Sequence, residues 1–346
     1  MANFKFSVGP WNVHEGADAF GPEVRTSISF EQKLAKFKEI GFTGIQFHDD
    51  DAVPDMNDLS ESQIKSRARE LKQLLDSQGL EAEFVAPRLW MDERTIDGGY
   101  TSNSAEDREF ALWRSLRSID IARELGSDRL VLWLAREGTL CAESKDPVVS
   151  LQRLREAVNA MLAHDPGIRI LIEPKSNEPI DRSFVPTVGH VLGFAAGTDD
   201  PSRVGALLES AHAVLAGLDP ALEMAFCLAH RKLWGVHLND QNGLRYDQDK
   251  SFGVENLRSA FNQIKVLMDS GYGSNGEYIG LDVKAMRTQS GELSYAHLEN
   301  SLKMVKLLES KVRRLDKGLV SSYQDSRNYE ALEMYVMELL LGEKHA

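Results

Sequence analysis

Short apolar runs recur along the chain at FKFSVG (4–9), GIQFHD (44–49), EAEFVA (81–86), DRLVLWL (128–134), IRILIE (168–173), VGALLE (204–209), KLWGVHL (232–238) and EYIGLDV (277–283). Runs of this length and aliphatic content read as buried strands. Between them lie amphipathic helical patterns. FEQKLAKFKEIG (30–41) places Leu34, Phe37 and Ile40 on one face and stops at Gly41. SESQIKSRARELKQLLDSQG (60–79) stops at Gly79, and EDREFALWRSLRSIDIAREL (106–125) is followed by Gly126. A glycine there suits the left-handed turn that ends a helix before the next strand. Eight strand–helix repeats predict an α/β fold, a closed (β/α)8 TIM barrel. An open doubly wound sheet is the alternative, but its dinucleotide-binding form lacks support, because no G-x-G-x-x-G follows the first strand. Past residue 315 the pattern changes to one further helical stretch, Tyr329 to Leu341. The expected organisation is a barrel over 1–315 and a short C-terminal helical tail over 316–346, packed on its own barrel or on a neighbouring subunit.

The length of 346 residues agrees with a barrel of about 250 residues plus extensions. Hydrophobic residues make up 42% and charged residues 27%, the balance of an ordinary globular chain. The net charge is −13, which argues against a nucleic-acid partner, since that requires a basic face. Two cysteines, Cys141 and Cys227, are too few for a disulfide scaffold or a thiolate zinc site. The first residues show no signal-peptide core, and no run approaches the roughly 20 apolar residues of a membrane span. The expectation is a cytoplasmic protein without a membrane partner.

In such a barrel the working side chains stand at the C-terminal ends of the strands. Strand two ends in His48 and three aspartates, 49–51; strand five in Glu173 and Lys175; strand six in Glu209, with His212 three residues on. Strand seven ends in His237, followed by Asp247 and Asp249, and strand eight in Asp282. Any one of these could be an ordinary surface acid or a structural histidine. Glu173, Glu209, His212, His237, Asp247, Asp249 and Asp282 together would converge on one mouth. Carboxylate oxygens with imidazoles suit Mg²⁺, with Mn²⁺ or Co²⁺ as alternatives. Trp11, Trp90 and Trp133 recur at strand ends and would form the wall of a pocket, although a tryptophan is more often core.

FHDDD (47–51), DGGYTSN (97–103), IEPKSNEP (172–179), VPTVGH (185–190), LNDQNGLRYDQD (238–249) and the closing MELLLGE (337–343) resemble the segments that mark the xylose (glucose) isomerase family, metal-dependent aldose–ketose isomerases on a (β/α)8 barrel. The resemblance implies two divalent cations per subunit. Glu173, Glu209 and Asp282 would hold one; Glu209, as a bridge, with His212, Asp247 and Asp249 would hold the other. It further implies ring opening by His48 oriented by Asp51, a substrate oxygen held by Lys175, and a substrate pocket lined by Trp11, Trp90 and Trp133. Phe20 matches an aromatic residue that reaches into a neighbour's active site, which implies a homodimer or homotetramer.

Departures from the family pattern are specific. His237 stands where the family has aspartate, so one ligand would be neutral. Trp90 replaces phenylalanine, a mild change, and Ala86 replaces threonine and Arg88 asparagine near the sugar's far end. Arg88 could reach solvent or recognise a different or anionic substrate. The tail is shorter than in compact members. The resemblance therefore implies isomerisation of D-xylose to D-xylulose and of D-glucose to D-fructose by a hydride shift. The departures leave open an isomerase, epimerase or lyase of the same superfamily acting on another small sugar, or a silent binding protein on the same scaffold.

Overall fold

The computed structural model describes residues 4–342. Residues 343–346, the end of the expected tail, lie outside the described residues, as do residues 1–3.

Eight parallel strands close into a barrel in sequential order. They are β1 (Lys5–Val8), β2 (Gly44–His48), β3 (Glu81–Ala86), β4 (Arg129–Trp133), β5 (Arg169–Glu173), β6 (Val204–Glu209), β7 (Leu233–Leu238) and β8 (Tyr278–Leu281). Each lies within a run that the hydrophobic pattern predicts. The long helices are α1 (Phe30–Ile40), α2 (Glu61–Gln78), α3 (Ala105–Glu124), α4 (Pro147–His164), α5 (Val188–Ala196), α6 (Pro220–Ala229), α7 (Leu257–Ser270) and α8 (Ala296–Arg314). Serine caps start the early ones. Ser29 and Gln32 form a capping box on α1, and Ser60 and Gln63 form one on α2. Gly41 and Gly79 end these helices at positive φ.

The tail contains one helix more than the pattern predicts. α9 (Lys317–Asp325) precedes α10 (Tyr329–Leu341). Gly318, Ser321 and Ser322 weaken the intrinsic helical signal of α9; Asp316, accepting from the N–H groups of Gly318 and Leu319, starts it. The tail rests on its own barrel: Lys311 of α8 donates to the Leu339 carbonyl at 2.6 Å, and Arg258 of α7 pairs with Glu333 at 2.9 Å.

Most of the core lies between strands and helices, built around Phe37, Phe47, Ile64, Ile119 and Phe261. A smaller apolar group, Phe84, Val131, Leu171, Leu207 and Trp234, fills the barrel interior below the site. The register aligns the working ends. Trp133 pairs with Glu173 across β4–β5, Glu209 with His237 across β6–β7, and His237 with Gly280 across β7–β8. A Cβ on Gly280 would stand 2.7 Å from Cδ2 of His237, so this glycine makes room for the imidazole. Among the described residues, no helix is long and apolar enough to cross a membrane.

Candidate metal centre and active site

The strand ends open into one cavity of about 410 Å³, a size that suits a small-molecule ligand. Its acidic side carries Glu173, Glu209, Asp247, Asp249 and Asp282 with His212 and His237. Two donor groups stand out, Glu173–Glu209–His237 and Glu209–His212–Asp247, each with its ligand atoms within 4.8 Å of one another. Glu209 belongs to both.

In the first group, Nδ1 of His237 lies 3.5 Å from Glu209 Oε2, 3.9 Å from Glu173 Oε2 and 3.9 Å from Asp282 Oδ2. Asp282 thus borders this group, and it accepts from Trp11 Nε1 at 3.1 Å. In the second group, His212 Nε2 lies 3.1 Å from both Glu209 Oε1 and Asp247 Oδ2. Asp249 adjoins it but has other partners: Asn239 Nδ2, which donates at 3.0 Å, and Lys284 Nζ, which forms a close ion pair. The same Asn239 amide donates to Glu209 Oε1 at 2.9 Å, tying the two groups together.

Several buried polar atoms here have no hydrogen-bond partner: both ring nitrogens of His237, Nδ1 of His212 and Oδ1 of Asp247. Unpaired buried donors and acceptors are costly, and a bound group explains them. Burial, joined by the neighbouring Glu209 and Asp282 charges, pushes the Glu173 carboxyl well above the usual range. Burial, then Asp282, Asp249 and Asp247, do the same to Glu209. Burial and Asp247 push Asp249 up to about 8. Asp247 goes the other way: burial opposes its charge, but His212 and Lys175 outweigh it and hold the carboxyl well below normal. Carboxylates in this state with imidazole neighbours form a donor set that fits a divalent cation.

The opposite side is aromatic and basic. The His48 ring sits 4.2 Å from Trp11 and 5.0 Å from Trp90, centroid to centroid, and Trp90 meets Trp133 edge-on at 4.5 Å. Asp51 Oδ2 lies 2.8 Å from His48 Nδ1 within the turn Asp49–Ala52 that follows β2. Lys175 Nζ is 2.7 Å from Asp247 and 3.2 Å from Glu178.

Arg88 does not reach out to solvent. It lines the cavity, and its guanidinium binds Asp50 at 2.7 Å and Asp51 at 2.9 Å. Phe20 is not part of its own chain's cavity; it is 99% exposed at a loop tip, held by Asp18, which accepts from Phe20 N and pairs with Arg287. The sequence reading meets Asn239, Lys284 and Glu178 beyond strand ends but assigns them no role. Asn239 and Lys284 follow the ends of β7 and β8 by one and three residues, where the same search for strand-end side chains reaches them.

The description "xylose isomerase-like TIM barrel" matches residues 34–274. The chain belongs to that family. Among solved structures it is similar to an L-ribulose 3-epimerase (16% identity, 91% of this chain and 96% of that one, TM-score 0.64). It is also similar to a D-tagatose 3-epimerase-like protein (18% identity, 87% and 98%, TM-score 0.62). A third is a 3-keto-D-glucoside 4-epimerase from E. coli (15% identity, 88% and 100%, TM-score 0.61). At these identities the likeness is one of fold, and function has to be argued from the site.

Proposed function

We propose that this protein is a divalent-cation-dependent aldose–ketose isomerase, with D-xylose as first substrate and D-glucose as second. The observation that carries this reading is the pair of donor groups sharing Glu209 in a cavity that also contains the His48–Asp51 pair and Lys175. Glu173, Glu209, His237 and Asp282 would hold one cation, and Glu209, His212, Asp247 and Asp249 the other. When bound, two adjacent cations supply Lewis-acid polarisation of neighbouring sugar oxygens.

The chain's own residues account for ring opening, sugar binding and the exclusion of water. Asp51 takes the Nδ1 side of His48, which leaves Nε2 to take the anomeric hydroxyl proton and return it to the ring oxygen as the bond from C1 to that oxygen breaks. Lys175 is kept cationic: burial works against its charge, but Asp247 and Glu178 more than offset it. An ammonium has three N–H donors, and the one not directed at these carboxylates holds an oxygen of the open chain. The tryptophan wall excludes water while the C2 hydrogen passes with its electron pair to C1, the C2 hydroxyl gives up its proton and O1 gains one.

A second reading is epimerisation by removal and return of a proton, which needs carboxylates on two sides of one carbon. Glu173 at the end of β5 and Asp282 just past β8, three strands apart around the barrel and both lining the cavity, support such a pair. One experiment separates the two. A panel of aldoses and ketoses is incubated in D₂O with Mg²⁺, Mn²⁺ or Co²⁺ and followed by NMR. Isomerisation gives ketose from aldose with the migrating hydrogen retained, and chelator abolishes it. Ketose epimers carrying solvent deuterium would favour the second reading, and no turnover with any metal would sink both.

We also propose that subunits pair as a homodimer or homotetramer, with Phe20 at the contact. Its support is a fully exposed aromatic on a loop pinned by Asp18 and Arg287. Light scattering of the wild type and of Phe20→Ser checks it, and a monomeric wild type would overturn it.

A further inference from the structure

Three consecutive aspartates after β2 converge on one arginine. Asp49 Oδ1 accepts from the backbone N–H of Arg88 at 3.1 Å, Asp50 Oδ1 from its Nε at 2.7 Å, and Asp51 Oδ1 from its Nη2 at 2.9 Å. The three carboxylates have further partners. Asp49 is fully buried and forms a two-point pair with Arg114 of α3, at 2.7 Å for each contact. Asp50 Oδ2 shares Arg114 at 3.2 Å. Asp51 Oδ2 turns to His48. A chain of charge-assisted bonds therefore runs from a buried arginine in a helix, through Asp49, Asp50 and Arg88, to the carboxylate that orients His48.

We propose that Arg88 is a positioning residue that fixes the Asp51 carboxylate, and through it the His48 imidazole, against the rigid Asp49–Arg114 pair. A carboxylate has two faces; with one held by Arg88, only the other is presented to Nδ1. A guanidinium suits this task because its planar fork sets direction as well as charge. The geometry gives Arg88 no need to touch substrate, since the contacts that define its place are to the three aspartates and to the face of Trp90, 5.7 Å away.

The electrostatics agree. Burial pushes the Asp51 carboxyl up, but the hydrogen bond and charge of His48 and the charge of Arg88 outweigh it and hold it below the usual range. The groups facing Asp51 are His48 and Asp50 from its own turn, Arg88 from the segment after β3, and Lys33 from α1, whose charge also acts on it. Removing Arg88 takes away one of these cations and raises the pH at which Asp51 ionises.

The test uses Arg88→Gln and Arg88→Lys in the full-length protein, with His48→Asn as a control. Trp11 and Trp90 flank the His48 ring, so tryptophan fluorescence against pH reports the His48–Asp51 pair without any substrate; His48→Asn identifies that transition by abolishing it. In Arg88→Gln the acid-side transition moves to higher pH, and Arg88→Lys lies between the variant and wild type. With an aldose substrate, Arg88→Gln lowers kcat by about ten- to a hundredfold with KM within about twofold, as a misplaced catalytic group does. The acid limb of kcat/KM moves the same way as the fluorescence. An unmoved transition and pH profile in Arg88→Gln overturn the proposal. So does a rise in KM alone, which makes Arg88 a substrate contact. If Arg88→Gln does not fold, Arg88→Lys decides by the same two readouts. The kinetic arm rests on the isomerase reading. The fluorescence arm does not, so a protein inactive on every aldose that still shows the shift fails that reading and retains this one.

Discussion

The two donor groups that share Glu209 differ in who supplies positive charge. Around Glu173, Glu209 and His237, among the described residues, no lysine or arginine pairs with either carboxylate, and both nitrogens of His237 lack a partner. Burial and mutual repulsion push both glutamates up, so in the absence of a cation the group favours holding protons. Around Asp247 and Asp249 the protein brings its own cations: Lys175 lies against the first and Lys284 against the second. Among the described residues the first group has no lysine or arginine of its own, whereas at the second an added ion would meet lysines already in place. The difference teaches that a count of carboxylates does not rank metal sites. On the proposed two-cation reading, the expected outcome is two classes of affinity, tight at the Glu173–Glu209–His237 group and weaker at the Glu209–His212–Asp247 group.

Glu209→Gln gives the largest effect because that residue serves both groups. We expect loss of both cations and a fall in turnover on the order of a thousandfold, measured by calorimetric metal titration beside the sugar assay. Retention of one cation at wild-type affinity would break the comparison, since Glu209 would then belong to one group only.

A buried histidine outside the cavity provides a yardstick for His237. His297 donates from Nε2 to the Asn12 carbonyl at 2.8 Å and lies apart from both groups. Burial pushes it down to about 4 from its ordinary 6.5. The unfolded chain therefore binds the proton more readily, and stability is full above about pH 6.5 and lost as the pH falls toward 4. Between pH 7.5 and 5 this histidine's own contribution falls by about 2 kcal/mol, read from urea unfolding as the difference in pH slope between metal-free wild type and His297→Gln, because the raised Glu173, Glu209 and Asp249 carboxyls act on the same slope with the opposite sign. His297→Gln should remove this component of the slope and leave the cation count unchanged. His237→Gln should leave this component and lose the tighter cation. A swap of these outcomes would mean that the orphaned nitrogens of His237 do not mark a metal site.

Much of this was legible in the sequence because the governing forces are local or periodic. Apolar runs ending in a single polar residue placed Glu173, Glu209 and His237 at strand ends, and Gly41 and Gly79 marked where helices stop. Register then follows from barrel closure, and adjacency of Glu209 and His237 from register. The charge partners were not legible. Nothing in YDQD tells that Lys175 covers Asp247 or that Lys284, 35 residues further on, covers Asp249. Arg88 is the sharpest case. Its identity permitted a solvent-reaching or substrate-reading arginine, and only the placement of Asp50 and Asp51 across β2 and β3 shows a third role. The helix α9 escaped for a different reason: its signal is a cap at Asp316 and tertiary support, not composition.

The finest test of the comparison is Lys284→Met. Lys284 Nζ makes a close ion pair with Asp249, whose charge, set against burial, raises the pKa of the lysine. A divalent cation at the Glu209–His212–Asp247 group would meet that ammonium as a like charge. A full unit charge at short range would cost several kcal/mol in a poorly screened site, but the Lys284 side chain is 46% exposed, and water screens much of that. A residual near 1.4 kcal/mol, or about tenfold, is the reasonable expectation. Calorimetric titration with Mn²⁺ should then show the weaker class tightened about tenfold and the tighter class unchanged within about twofold. Lys284 is a better probe than Lys175 because the proposed function gives Lys175 a substrate contact, which would mix two effects. If the weaker affinity instead falls in Lys284→Met, the lysine holds Asp249 in place for the ion, and its charge is an aid to binding, not a competitor.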